Sequence, residues 1–361
     1  MRTVRGAFVA LPLTLLLSTA SAHGAGLTPL GGAQLSSRGT VVAKGAPALP
    51  RTVAASWLVA DLDSGQVLAS RDAHGRFAPA STLKTLTAET LIPQLDPEQQ
   101  VRPTFDDVNV DGTRVGLVQQ LSYPVKQLFT AMLVVSGNDA ANTLATANGG
   151  ITKTVAQMNA EAARLHALDT HAVNPNGLDD PHQLSSAYDL ALIARAGMKL
   201  PAFRSYVATK RSAISGPGGH SIAISSHDRL LWNYPGAIGI KNGYTVKARA
   251  TFVGAATRGG HTLVVTLMRT DPRYWPEAAS LLDWGFAAER AGVTPVGQLV
   301  DPDPDEGQLL SSPQDAVVRT AASHERLASI EGSHRMVLIA LGLSLATPVL
   351  LVRRRRIRRR L

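Results

Sequence analysis

The feature that most narrows the fold is a change of hydrophobic period that happens twice along the chain. "SWLVADLDSGQVLASRDA", from Ser56 to Ala73, gives two β-prone runs around Asp63-Ser64-Gly65, the signature of a hairpin. From about Thr82 to Leu200 the sequence turns Ala- and Leu-rich and is broken at Pro93, Pro103, Pro124, Gly149 and Pro175, which predicts several short helices joined by loops. After about Ser221 strand character returns in "SIAISS", "AIGIKNGYT", "ATFVGAAT" and "HTLVVTLM", the last two joined by the hairpin turn "RGG". A helix over "YWPEAASLLDWGFAAERA" closes the unit. Two groups of strands so far apart share one sheet only if the helices between them stand beside it. The expected class is therefore α+β: an antiparallel sheet covered by helices, with a helical lobe inserted between its first and later strands.

The two ends stand outside that unit. Residues 1–22 carry Arg2 and Arg5, then the apolar run "FVALPLTLLL", then "ASA", the order of a secretory signal. Residues 23–50, rich in Gly, Ala, Pro and Ser, read as a flexible lead, and the folded domain is expected over 51–297. Residues 298–335 read as a polar stalk. "MVLIALGLSLATPVLLV", 336–352, is uncharged and long enough to span a bilayer as a helix. The basic tail 353–361 that follows places the cytoplasm on its side and the domain outside. The formal charge of +9 comes from these ends: without the tail's seven arginines and the signal's two, the body is neutral. A neutral body lacks the basic footprint of nucleic-acid binding. The chain has no cysteine, which excludes disulfides, thiol catalysis and thiolate metal sites.

Three short segments carry chemistry. In "PASTLKTLTAETL" Ser81 and Lys84 are three apart at a helix start, so the amine reaches the hydroxyl, and unpaired N–H groups there favour an oxyanion. For Lys84 to act as a base its amine must be neutral, which burial or a nearby cation brings about. The bland alternative is an N-cap serine followed by a solvated lysine. In "VVSGNDAAN" Ser136 can relay a proton and Asn138 can grip a peptide group, with Gly137 permitting the tight turn; a plain helix–helix loop with capping residues is the alternative. In "GIKNGYT" Lys241 and Gly243 share one face of a strand, where a cation binds a carboxylate and a glycine admits a substrate backbone. Asn242-Gly243 is equally a type I′ hairpin signal.

In this order and at these separations, S-x-x-K, S-x-N and K-[T/N]-G resemble the motifs of penicillin-binding proteins and serine β-lactamases. Within that group "PASTLKTLTA", "VVSGNDAAN", "NPNGLDDPHQLSSAYDLALIAR" and "LLWNYPGAIGIKNGYT" are similar to segments of the low-molecular-mass D-alanyl-D-alanine carboxypeptidases, over roughly Ser56 to Ala291. The resemblance implies the β-lactamase/penicillin-binding-protein fold. It also implies Ser81 as acylated nucleophile, Lys84 as its base and Ser136 as proton relay. Asn138 would hold the substrate peptide, and Lys241, Asn242 and Gly243 would line the strand where substrate lies. The N–H groups of Ser81 and Tyr244 would form the oxyanion hole. The implied substrates are peptidoglycan stem peptides, with β-lactams as covalent inhibitors and no cofactor.

The chain departs from the pattern at Asn242, where threonine is usual, and at Asp228, where asparagine is commoner and no role is attached. The family's second, all-β domain is not expected, since 298–335 is too short and polar for it. A class A β-lactamase needs a deacylating glutamate, and Glu89, Glu98 and Glu161 lack the E-x-x-x-N setting. No H-E-x-x-H is present and the histidines, such as His166, His171, His182 and His220, are scattered, so no metal site is expected. Two alternatives share the motifs: a D,D-endopeptidase of peptidoglycan cross-links, and a catalytically weak penicillin-fold scaffold or cell-wall binding protein.

Overall fold

The computed structural model describes residues 30–304. The expected signal, the apolar run 336–352 expected to span a membrane, the basic tail and most of the expected stalk lie outside the described residues. Among the described residues no helix is long and apolar enough to cross a membrane.

The first hairpin joins β2 (Ser56–Asp61) to β3 (Gln66–Arg71). Asp61 shapes its turn, Oδ1 accepting from the N–H groups of Asp63 and Ser64 and from Ser64 Oγ. A short β1 (Thr40–Val42) pairs with β3, as does β11 (Gly297–Gln298). The late strands β8 (Ala237–Thr245), β9 (Arg249–Arg258) and β10 (His261–Thr270) complete an antiparallel sheet in the order β1-β3-β2-β10-β9-β8. The two halves close where Asp61 stands opposite Leu263 and Ser56 opposite Met268.

Helices cover both faces, so all six residues of β2 are buried. Alternation divides them: Trp57 and Val59 face one core with Leu281 and Leu282 of α9 (Tyr274–Arg290), while Leu58 and Ala60 face the helical lobe. The lobe contains α1 (Lys84–Leu91), α2 (Phe105–Val108), a two-stranded ribbon of β4 (Gln100–Val101) and β5 (Tyr123–Pro124), α3 (Val125–Val134), α4 (Asn138–Ala147), α5 (Ile151–Arg164), α6 (Ala187–Gly197) and α7 (Pro201–Val207). Every residue of α1 is buried. A helix without a solvent face is the lobe's centre, and its polar side chains must find internal partners.

Three boundaries differ from the sequence reading. The segment expected to be a flexible lead folds from residue 30 onward: Leu35 and Ala43 are buried, and Ala43 N–H donates to Leu68 O across β3. The stalk begins later than 298, because Leu299 is buried and Asp303 N–H donates to Arg164 O. "SIAISS" forms β7 (Ser221–Ser225), which pairs only with β6 (Arg211–Ser215) in a separate hairpin, with α8 (Arg229–Asn233) following it.

Candidate active site

Ser81 lies in a 3₁₀ turn, Ala80–Leu83, that runs directly into α1, so it is not the cap of that helix. The turn is gripped from three sides. Thr82 Oγ1 and Thr251 Oγ1, the latter from β9, both donate to Pro79 O at 2.6 and 2.7 Å. Ala80 adopts a left-handed φ of 49° while fully buried. A non-glycine residue in that region costs about 1–2 kcal/mol and persists only where its surroundings impose it. On one side a Cβ added at Gly243 of β8 would sit 2.7 Å from Ser81 N and 3.0 Å from Thr82 N. On the other, a Cβ at Gly177 (φ 85°) would collide with Ala80 O and lie 3.0 Å from Ser81 N. Two backbones thus approach the Ser81 turn at positions where only glycine fits.

Lys84 is wholly buried beneath Ser81. Its Nζ is 3.0 Å from Ser81 Oγ and 2.7 Å from Asn138 Oδ1, and it makes a short hydrogen bond to Asn176 O. Two of these partners are carbonyl oxygens that only accept, whereas a serine hydroxyl also donates. A neutral amine therefore spends its two N–H groups on Asn138 and Asn176 and turns its lone pair toward Ser81 O–H, the geometry of a general base. Burial, and after it the charge of Lys241, hold the Lys84 amine well below the ordinary lysine range, against the opposing Asp139 carboxylate.

Asn138 starts α4. Its Nδ2 donates to Asp111 O at 2.6 Å, which fixes the amide so that Oδ1 faces Lys84. Asp139 accepts from the N–H groups of Val115, Gly116 and Leu117 and ties that loop to the same helix. Ser136 sits in the turn between α3 and α4, buried, with φ 65°. Gly137, expected to supply the turn's unusual conformation, has an ordinary φ of −58°. The strain falls on the serine instead.

Lys241 and Gly243 share the face of β8 turned toward Ser81, as alternation requires. The hairpin reading of Asn242-Gly243 fails, because β8 runs straight through them, paired with Phe252 and Thr251. Lys241 is buried, and its Nζ donates to Asn242 O at 2.7 Å and weakly to Asn242 Oδ1 at 3.4 Å. Burial pushes its amine down to about 7, with the Asp228 carboxylate pulling the other way. Tyr244 is exposed at 59% and follows at the rim.

Two participants had no assigned role in the sequence. Asp228 caps α8, Oδ1 accepting from Leu230 and Leu231 N–H. Its Oδ2 is buried without a hydrogen-bond partner, and burial pushes the carboxyl up to about 6. Asn176 presents its carbonyl to Lys84 while its amide donates to Asn142 Oδ1 and accepts from Leu178 N–H. Asn174 and Gln183 brace the same loop through the N–H groups of Gly177, Val173 and Asn174. The signal was present in "NPNG", a turn-forming string, but its target lies 92 residues back at Lys84.

A serine beside a buried amine whose pKa is held low, next to an edge strand that carries a lysine, defines an acyl-transfer enzyme of the serine-peptidase kind. Comparison with known proteins narrows the class. The profile described as D-alanyl-D-alanine carboxypeptidase matches residues 42–271. The chain is 46% identical over 250 residues to D-alanyl-D-alanine carboxypeptidase DacB2 of Mycobacterium tuberculosis, covering 67% of this chain and 86% of the relative. It is 32% identical to D-alanyl-D-alanine carboxypeptidase DacD of Escherichia coli, covering 66% of this chain but 64% of that longer protein. The crystal structure of the D-alanyl-D-alanine carboxypeptidase of M. tuberculosis H37Rv superposes with a TM-score of 0.67 at 44% identity, over 73% of this chain and 99% of that one. The Streptomyces K15 DD-transpeptidase gives 0.64 at 27% identity, over 67% and 100%. The chain belongs to the D-alanyl-D-alanine carboxypeptidase family of serine-type hydrolases, and its fold is that of the penicillin-binding proteins.

Proposed function

We propose that the protein removes the terminal D-alanine of peptidoglycan stem peptides through an acyl-enzyme on Ser81. The observation that carries this is the Lys84 amine, held by two acceptor carbonyls with its remaining direction toward Ser81 Oγ. Ser81 Oγ attacks the penultimate D-alanine carbonyl and its proton passes to Lys84 Nζ. The N–H groups of Ser81 and Tyr244 receive the oxyanion. The C–N bond breaks as the Ser136 hydroxyl passes a proton to the leaving amine and is reprotonated from Lys84 Nζ, so D-alanine departs and Lys84 is neutral again. Lys84 then takes a proton from water as its oxygen attacks the ester and returns it to Ser81 Oγ as the ester C–O bond breaks. Lys241 attracts the substrate's terminal carboxylate, to which the Asn242 amide can also donate, and Asn138 offers its amide to the substrate backbone. β-Lactams, which present an amide beside a carboxylate, acylate the same oxygen. DacB2 and DacD, the two similar sequences named above, are D-alanyl-D-alanine carboxypeptidases, which favours this reading over the endopeptidase. The signal at 1–22 and the apolar run 336–352 with its basic tail support a domain held outside the membrane by one C-terminal span.

The test is mass spectrometry of the full chain after penicillin, alongside D-alanine release from a pentapeptide. A covalent adduct mapping to the Ser81 peptide, with both readouts lost in Ser81→Ala, is expected. No adduct and no released D-alanine would make the protein a scaffold; recovery of activity on Asn242→Thr would then put the cause at that side chain.

A further inference from the structure

Among the described residues two clusters of three metal-ligating side chains occur, Asp61–His261–Glu289 and His74–Asp169–Asp189. His261 in the first is half exposed and already paired with Asp61. The second has a cavity of about 240 Å³ walled by Leu30, His74, His166, Leu168, Asp169 and Asp189. It stands apart from the residues assigned to acyl transfer, and none of its three ligand candidates touches Ser81 or Lys84.

Its chemistry is unbalanced as it stands. Asp189, at 1% exposure, gives Oδ2 to the Thr170 hydroxyl at 2.7 Å, while Oδ1 is buried with no hydrogen-bond partner. Buried carboxylate oxygens are otherwise nearly always satisfied, and leaving one bare costs free energy. Asp169 Oδ2 lies 2.8 Å from His74 Nδ1. His74 Nε2 is 3.1 Å from Leu30 O, which can only accept, so that nitrogen carries a hydrogen. Nδ1 faces the Asp169 carboxylate, which also only accepts, so the ring carries both hydrogens here; a cation that displaces the Nδ1 hydrogen would find the far N–H anchored on a backbone carbonyl, the usual arrangement behind a metal-bound histidine. Tyr188 packs against the ring, 4.7 Å between centroids, and limits its rotation.

We propose that His74 Nδ1, Asp169 and the bare oxygen of Asp189 bind one divalent zinc-class ion at the floor of this cavity. One nitrogen and two oxygens here lie within 4.8 Å of one another. Bonds of about 2.0–2.2 Å in a tetrahedron place ligand atoms roughly 3.3–3.5 Å apart, which small side-chain rotations achieve. Imidazole with carboxylates selects zinc-like ions over calcium or magnesium, which take oxygen shells. The fourth position opens to the cavity and is left to water. The ligands come from three separate segments, hence the absence of any motif. The ion would clamp the loop between β3 and the Ser81 turn, through His74, to the segment leading to Asn176, through Asp169, and both to the start of α6. Its role is to hold these segments in register.

Equilibrium dialysis of the chelator-stripped full chain against micromolar zinc chloride, with metal counted by mass spectrometry, tests this. The expected result is that His74→Gln and Asp189→Asn each retain one equivalent less than wild type, while His261→Gln keeps the His74-dependent equivalent. Equal retention in all variants, or no retention by wild type, overturns it. Should either variant misfold, zinc-edge X-ray absorption of the wild type decides: a shell of imidazole nitrogen with carboxylate oxygens supports the site, and a shell without imidazole refutes it.

Discussion

Gly177→Ala tests whether the loop over 174–178 positions the catalytic base. At φ 85° any other residue bears about 1–2 kcal/mol of left-handed strain. The added methyl also overlaps Ala80 O and comes within 3.0 Å of Ser81 N, both backbone atoms that cannot rotate away. The loop must therefore retreat by about 1 Å, taking the Asn176 carbonyl off Lys84 Nζ, and a misplacement of that size costs about 10²-fold in rate. Gly45→Ala is the control: its φ is 88°, so the backbone penalty is similar, but nothing lies within 4 Å of the new methyl. Stopped-flow acylation by a chromogenic β-lactam, with calorimetric Tm, reads both effects. Both variants should lose about 2–6 °C in Tm from strain, and only Gly177→Ala should lose acylation by about two orders of magnitude. Acylation by Gly177→Ala within threefold of wild type would show that the contact between this loop and Lys84 does not matter to the base.

Three further outcomes follow from the same geometry. Ser136→Gly relieves a left-handed serine and should raise stability by up to about 1 kcal/mol in urea melts while sharply lowering D-alanine release; a destabilised variant would refute the strain reading. Because Lys241 must be charged to hold a carboxylate and its amine is pushed down to about 7, kcat/KM for a carboxylate-ended peptide should fall as pH rises through that value. An analogue lacking the carboxylate should show no such fall. Asp228, with its carboxyl raised to about 6, destabilises the fold at neutral pH, and this penalty fades as pH drops toward the ordinary 3.8. Asp228→Asn, which keeps the cap through its amide oxygen, should therefore be about 1–3 kcal/mol more stable at pH 8 and no more stable near pH 4, as read by urea melts at the two pH values. It should also shift the Lys241 limb to lower pH, since a carboxylate that favours the ammonium is gone.

The parts of the site that obey local rules are legible in the sequence. Ser81 and Lys84 meet through helical spacing, Lys241 and Gly243 share a face through strand alternation, and the two strand groups at 56–71 and 237–270 join in one sheet. What was not legible depends on distant backbone. The turn before Ser136 looks like a glycine turn, yet Gly137 is ordinary and the serine takes the strain. "NPNG" shows only turn-forming residues, yet the Asn176 carbonyl accepts from the buried amine. Residues 30–49 have the composition of a linker, but hydrogen bonds to β3 and the burial of Leu35 and Ala43 hold them. Asp228 has no role readable from the sequence; capping α8 and burial beside Lys241 emerge only in the fold and give it electrostatic weight.

The sheet's closing seam has a consequence for when reactivity first exists. Ser81 and Lys84 are synthesised early, but the strands that flank the nucleophile arrive more than 150 residues later, and Asp61 waits for Leu263. Contacts so remote in sequence form slowly and only on a nearly finished chain. A polypeptide still emerging thus carries a nucleophile without its surroundings: an inert serine and a solvated, protonated lysine. Acylating power switches on as a late event of maturation, after the last hairpin has docked.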